Sequence, residues 1–220
     1  MLVNLAIFDL DNTLLADDSD YLWGQFLVEK GLVDGKHYEE TNDRFYKDYR
    51  EGKLDIGDFL AFALHPLATI EPDKLYEWRE IFIAEKIHPV LLPKAHKLID
   101  SHRTSGHELL VITATNQFVT EPIVNLYGIN QILATVPEQR EGRFTGRFSG
   151  IPCFQDGKVK RLDQWLESNG KKYGETWFYS DSHNDLPLLN VVNNPFAVDP
   201  DASLRQTAVE RGWPIISLRD

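Results

Sequence analysis

Two textures of apolar and polar residues alternate along the chain. Residues 3–9 (VNLAIFD) form an apolar run too short for a helix and lead into turn-prone Asp-Asn-Thr, which predicts a buried strand. Residues 107–113 (HELLVIT) and 175–181 (ETWFYSD) repeat that pattern, each closing on polar residues, and 193–198 supplies another strand. Helical patterns lie between them: 93–104 opening at Pro93, 117–127 closing at Gly128, and 156–168 closing near Gly170. Such alternation predicts an α/β fold, a Rossmann-like parallel sheet with helices on both faces.

The stretch from about 16 to 89 breaks the rhythm. Its apolar positions follow a helical period: Tyr21, Leu22, Phe26 and Leu27, then Phe45, Tyr46 and Tyr49, then Phe59, Leu60, Phe62 and Ala63, then Leu75, Trp78, Phe82 and Ile83. The simplest organisation is an all-helical lobe, residues 16–89, inserted into an α/β core made of residues 1–15 and 90–220. The chain leaves that core at Leu14–Ala16 and returns near His88–Pro93. Glycines every fourth position with alternating Phe in 138–150 (EQREGRFTGRFSG) predict a short antiparallel hairpin.

Composition narrows the class. The 220 residues are 42% hydrophobic and 26% charged, an ordinary globular balance. The formal charge of −11 repels nucleic acid and anionic membrane, so a phosphorylated ligand needs a metal ion or placed cations to reverse the local sign. No apolar run nears the ~20 residues of a membrane span. Asp9 and Asp11 interrupt the N-terminal apolar stretch, so no secretory signal is expected, and the chain reads as soluble and cytoplasmic. One cysteine, Cys153, excludes an internal disulfide framework. Gly157-Lys158 is followed by Val159, so there is no Walker loop, and neither GxGxxG nor HExxH occurs. A monomer and a homodimer are both open.

Four pieces far apart in sequence fall near predicted strand ends or at a helix start. They are Asp9-Leu10-Asp11-Asn12-Thr13, Thr113-Ala114-Thr115, Lys158, and Asp181-Ser182-His183-Asn184-Asp185. Carboxyl ends of parallel strands converge on one crevice, so these pieces should meet. Carboxylates gathered there need a cation, and an all-oxygen donor set favours Mg²⁺. Of two carboxylates two residues apart, one can attack phosphorus while the other works as acid and then base. A hydroxyl and an ammonium supply donors for the phosphoryl oxygens.

These four pieces, in this order, resemble the motifs of the haloacid dehalogenase (HAD) superfamily, in the phosphoserine-phosphatase-like branch (subfamily IB) with an inserted helical C1 cap. DLDNT matches motif I, Thr113 after LLVI motif II, Lys158 motif III and SDSHND motif IV. The resemblance implies a Mg²⁺-dependent phosphatase of small soluble phosphomonoesters. Asp9 would form an aspartyl-phosphate, and Asp11 would be the general acid/base. Mg²⁺ would sit on Asp9, the Asp11 backbone carbonyl and Asp181, with Asp185 behind it holding metal-bound water or Lys158. Thr113 and Lys158 would bind the phosphoryl group. Asn12 stands where glycine is commoner, and asparagine tolerates the unusual backbone angles.

Several readings stay open. Thr115 competes with Thr113, and Lys160 with Lys158. Asp17, Asp18 and Asp20 either cap a helix beginning near Tyr21 or read a cationic group on the substrate. Tyr21, Trp23, Phe45, Tyr46, Tyr49 and Trp78 are expected to be lobe core rather than a substrate cage. Arg44 and Arg50 are expected in solvent rather than on a substrate carboxylate, and His183 in an exposed loop. Substrates in view are phosphoserine, histidinol phosphate and phosphocholine. Phosphoryl transfer to an acceptor, dehalogenation and an idle binding module are the other functions. Asp11 argues against dehalogenation, which has no use for a second acid/base carboxylate.

Overall fold

A computed structural model describes residues 2–219. In chain order, β1 (Val3–Phe8) is followed by α1 (Ser19–Glu29), α2 (Gly35–Arg50), α3 (Ile56–Thr69) and α4 (Pro72–Phe82). Then come α5 (Pro93–Thr104), β2 (Glu108–Asn116), α6 (Gln117–Leu126), β3 (Ile132–Arg140), β4 (Arg143–Ser149) and α7 (Asp156–Asn169). The chain closes with β5 (Tyr173–Ser180), the single turn α8 (Leu186–Leu189), β6 (Asn194–Val198), α9 (Ala202–Arg211) and β7 (Ile215–Ile216). The sheet order is β4-β3-β2-β1-β5-β6-β7, parallel except for β4.

β1 lies mid-sheet because every side chain from Leu5 to Phe8 is apolar. Period-2 alternation sends Leu5 and Ile7 into one apolar cluster and Ala6 and Phe8 into another on the opposite face. The first cluster is closed by Leu162 of α7 and by Leu204 and Ala208 of α9. The second is closed by Ile99 of α5 and Ile123 of α6, and it runs on into Trp23, Phe26, Leu64 and Phe82 of the helical stretch. Helices on both faces satisfy strands apolar on both sides. The chain leaves and re-enters this layer at one point, where Leu15 bridges Leu91 and the Ala16 amide donates to the Val90 carbonyl at 2.9 Å.

Three features differ from the sequence reading. β2 runs on to Asn116, which puts Thr113 and Thr115 inside the end of the strand. The hairpin opens at Ile132, six residues early, because residues 132–135 pair with β2 before the chain pairs with β4. α9 and β7 carried too little signal, since α9 buries only Leu204 and Ala208 and β7 is two residues long.

Candidate active site

Strand register brings the distant motifs together. Phe8 pairs with Val111 of β2 and Tyr179 of β5, so Asp9, the end of β2 and Asp181 emerge at one level. The chain order reverses beside β1, where open parallel sheets form their ligand crevice. Beyond Asp9 the backbone doubles back, with the Leu14 amide donating to the Leu10 carbonyl and Asn12 at φ 56°. That left-handed angle is one that asparagine accepts more readily than most residues.

Lys158 organises the acids. It is 2% exposed, with its Nζ 2.7 Å from Asp9 Oδ1 and 2.8 Å from Asp185 Oδ2, while Lys160 is exposed. Burial pulls the ammonium pKa down, yet the charges of Asp185 and Asp9 outweigh it and hold it above its ordinary value. Asp9 is pushed up to about 7: burial raises it, Lys158 pulls it back and Asp185 raises it again. Asp185 also accepts from Ser180 Oγ at 2.7 Å.

The lysine reaches this depth because α7 begins in a tight approach. Gln155 takes φ 48°, and a Cβ on Gly157 would overlap the Pro152 carbonyl oxygen. Backbone cannot give way as a flexible side chain can. Gly157→Ala is therefore expected to cost about 2–4 kcal/mol in urea denaturation and to lower kcat by displacing Lys158.

Thr13 links two carboxylates. Its Oγ1 lies 3.0 Å from Asp181 Oδ1 and 3.4 Å from Asp9 Oδ2, and it accepts from the Asp181 amide at 3.0 Å. With one proton to give, the hydroxyl serves Asp181 and leaves Asp9 Oδ2 without a firm donor. Burial and the charges of Asp9 and Asp185 push Asp181 well above the usual carboxylate range. Asp11 is held from both sides, its Oδ1 accepting from the Ser19 amide at 2.7 Å and its Oδ2 from Thr115 Oγ1 at 2.8 Å and Thr113 Oγ1 at 3.3 Å. Burial raises Asp11, and these hydrogen bonds oppose the rise.

Asp9 and Asp11 form the floor of a pocket roofed by the helical stretch. Its walls include Asp18, Asp20, Tyr46, Tyr49, Phe45 and Phe59. No lysine, arginine or histidine lines it among the described residues. A second cavity of about 450 Å³ opens on the other side, lined by Asp181, Arg50 and Asp201 among others.

The matches to known proteins agree with this geometry. A family model for haloacid dehalogenase-like hydrolases matches residues 6–190. The chain belongs to that family. It is 48% identical over 220 residues to a histidinol-phosphatase of Neisseria meningitidis serogroup C, covering 98% of this chain and 99% of that one. A crystal structure of a protein of unknown function from Bordetella pertussis Tohama I superposes with a TM-score of 0.94 at 41% identity, covering 99% of this chain and 100% of that one. A substrate-bound phosphoserine phosphatase shares the fold at a TM-score of 0.72 and 17% identity, covering 100% of this chain and 94% of its own.

Phosphatases of the HAD-like family are generally Mg²⁺-dependent, and the donor chemistry here suits a hard cation. Asp181 is a half-buried acid with no ion pair among the described residues, beside an Asp9 oxygen that lacks a firm donor. Among the described residues no three His, Cys, Asp or Glu side chains close into a metal cage.

In this HAD-like hydrolase the acidic residues after motif I divide their work. Asp18 caps α1, accepting from the Asp20 and Tyr21 amides at 3.0 and 2.9 Å, and Asp17 accepts from the Asp18 amide, while Asp20 lines the pocket. The aromatics also split: Trp23 and Trp78 pack in the core as expected, whereas Tyr21, Phe45, Tyr46 and Tyr49 line the pocket. Arg44 lies over the Phe45 ring and Arg50 over Tyr46. His183 is half-buried rather than exposed, its Nδ1 2.7 Å from Asp201 Oδ2. Sequence reasoning assigned no part to Thr13, Ser180 or Asn184. Asn184 is buried and donates to the Tyr49 carbonyl at 3.1 Å, tying α2 to the loop after β5. Thr13 stood inside the quoted motif, but a bridging hydroxyl has no signature until the two carboxylates are placed.

Proposed function

We propose that the chain is a Mg²⁺-dependent phosphatase whose substrate is histidinol phosphate. The chain is a phosphoric monoester hydrolase, as its family and its 48% identical relative support. The substrate assignment rests on one observation: the pocket above Asp9 holds Asp18 and Asp20 and, among the described residues, no basic side chain. Phosphoserine would bring a carboxylate into a pocket already negative, while the nearest arginine, Arg50, lies over the Tyr46 ring in the adjoining cavity rather than in this one. A buried unpaired charge costs several kcal/mol. Histidinol phosphate carries an ammonium and an imidazole and no carboxylate, so its charges suit these walls.

The residues work as follows. Asp9 and Asp181, with the Asp11 main-chain carbonyl, would hold Mg²⁺, which would screen the phosphoryl charge from its attacker. A carboxylate oxygen of Asp9 attacks phosphorus and the ester P–O bond breaks. Asp11 gives its proton to the departing alcohol oxygen, an acid suited to the task because burial raises its pKa. Asp11 then takes a proton from the water that hydrolyses the aspartyl-phosphate, which releases phosphate and restores Asp9. Lys158, anchored on Asp185, and Thr113 donate to the phosphoryl oxygens. Thr115, at 2.8 Å from Asp11, orients that acid. Residues 16–89 serve as a cap over the core of residues 1–15 and 90–220, opening for substrate and closing to exclude water. The Leu15–Leu91 crossing and the Tyr49–Asn184 contact support that division.

The test is phosphate release from histidinol phosphate, phosphoserine, phosphocholine and p-nitrophenyl phosphate, with Mg²⁺ and with EDTA. Histidinol phosphate should lead phosphoserine in kcat/KM by about 100-fold or more, the scale on which an unpaired polar group discriminates. EDTA should remove turnover. Equal use of phosphoserine would overturn the substrate, EDTA-insensitive turnover the metal, and transfer to added alcohols in place of water the hydrolytic assignment.

A further inference from the structure

Four carboxylates line the pocket and three are already engaged. Asp9 is bonded to Lys158, Asp11 to Ser19 and Thr115, and Asp18 to the first turn of α1. The Asp20 carboxylate is different. It is half-buried, lines the pocket, and neither accepts a hydrogen bond nor forms an ion pair among the described residues. The pocket also holds the Phe45 and Phe59 rings, which meet edge to face at 5.5 Å. An ammonium can lie against an aromatic face, but its three N–H donors are then poorly matched to a single carboxylate. A flat cation that gives one N–H to a carboxylate and lays its faces against rings uses all that this wall provides.

Resting on the substrate reading above, we propose that Asp20 is the residue that selects for the imidazole ring, binding a ring N–H of the leaving group. Burial and the charge of Asp11 push its carboxyl up to about 7, close to the ordinary imidazole value of ~6.5. The two groups therefore share a proton readily near neutral pH, and the pair forms without either being driven far from its preferred state.

The test pairs two substrates with two enzymes. Histidinol phosphate and 2-aminopropyl phosphate share the ester and the ammonium and differ by the ring. In the wild type, deleting the ring should lower kcat/KM by about 100-fold, and in Asp20→Asn by about tenfold or less, with the difference carried by KM. A melting curve checks that Asp20→Asn is folded, and Asp20→Ser stands in for it otherwise. If Asp20→Asn weakens both substrates equally, Asp20 reads the ammonium and the ring assignment is overturned. If it weakens neither substrate, Asp20 selects nothing. Each of these outcomes leaves the phosphatase reading standing. A wild type that does not turn over histidinol phosphate sinks that reading and this inference with it.

Discussion

Asp9→Asn is expected to lower histidinol phosphate turnover by about 10⁴-fold or more, the scale of removing a covalent nucleophile, while the protein stays folded. The amide keeps the shape of the carboxyl, so packing around Phe8 and Leu10 is undisturbed. It loses the charged carboxylate, and an amide does not attack phosphorus. Folding survives because Lys158 keeps its second partner, Asp185, at 2.8 Å. The Asp9 carboxyl itself is unfavourably placed, pushed up to about 7 chiefly by burial, so its neutral replacement removes that strain. Phosphate release in single-turnover and steady-state assays, beside a melting curve, checks both halves. Residual turnover above about 1% of wild type would falsify the nucleophile assignment.

The sheet and the site pieces were legible because each leaves a local mark. A run such as LAIF is apolar on both faces and too short for a helix, which identifies a central parallel strand, and the polar residues at its end mark the crevice. Lys158 was legible at the start of α7, although its depth follows from the Gly157–Pro152 approach, which depends on two backbone segments meeting. The pocket walls were the least legible. Trp23 and Tyr46 look alike in a helical period, yet one packs against Phe82 and the other stands over Asp9. Which face of a helix meets the crevice depends on how the helices dock on the sheet. The same limit hid the division between Asp18 and Asp20, two residues apart, one spent on a helix cap and the other left free.

Lys158→Ala should be the most destabilising neutral-pH substitution in the crevice. It leaves Asp9 and Asp185 facing one another in buried surroundings without a counter-charge, at a cost of about 3–5 kcal/mol and roughly 10 °C in Tm. The loss should depend on pH with a definite sign. Even beside Lys158, Asp9 ionises near 7 in the folded protein, and without the ammonium its pKa rises further, whereas the unfolded chain ionises near 4. Above about pH 4 the folded variant therefore binds more protons than the unfolded chain, and its stability falls as pH rises. The lysine stays charged in the wild type across this range, since its folded pKa is raised, so the window belongs to the acids. Denaturation should show a smaller gap between variant and wild type at about pH 5 than at about pH 8. Adding Asp185→Asn should recover part of the stability at the higher pH without recovering turnover, because one of the two repelling charges is gone while the phosphoryl donor is still missing. An equal loss at both pH values would mean that Lys158 holds the crevice by packing its stem rather than by its charge.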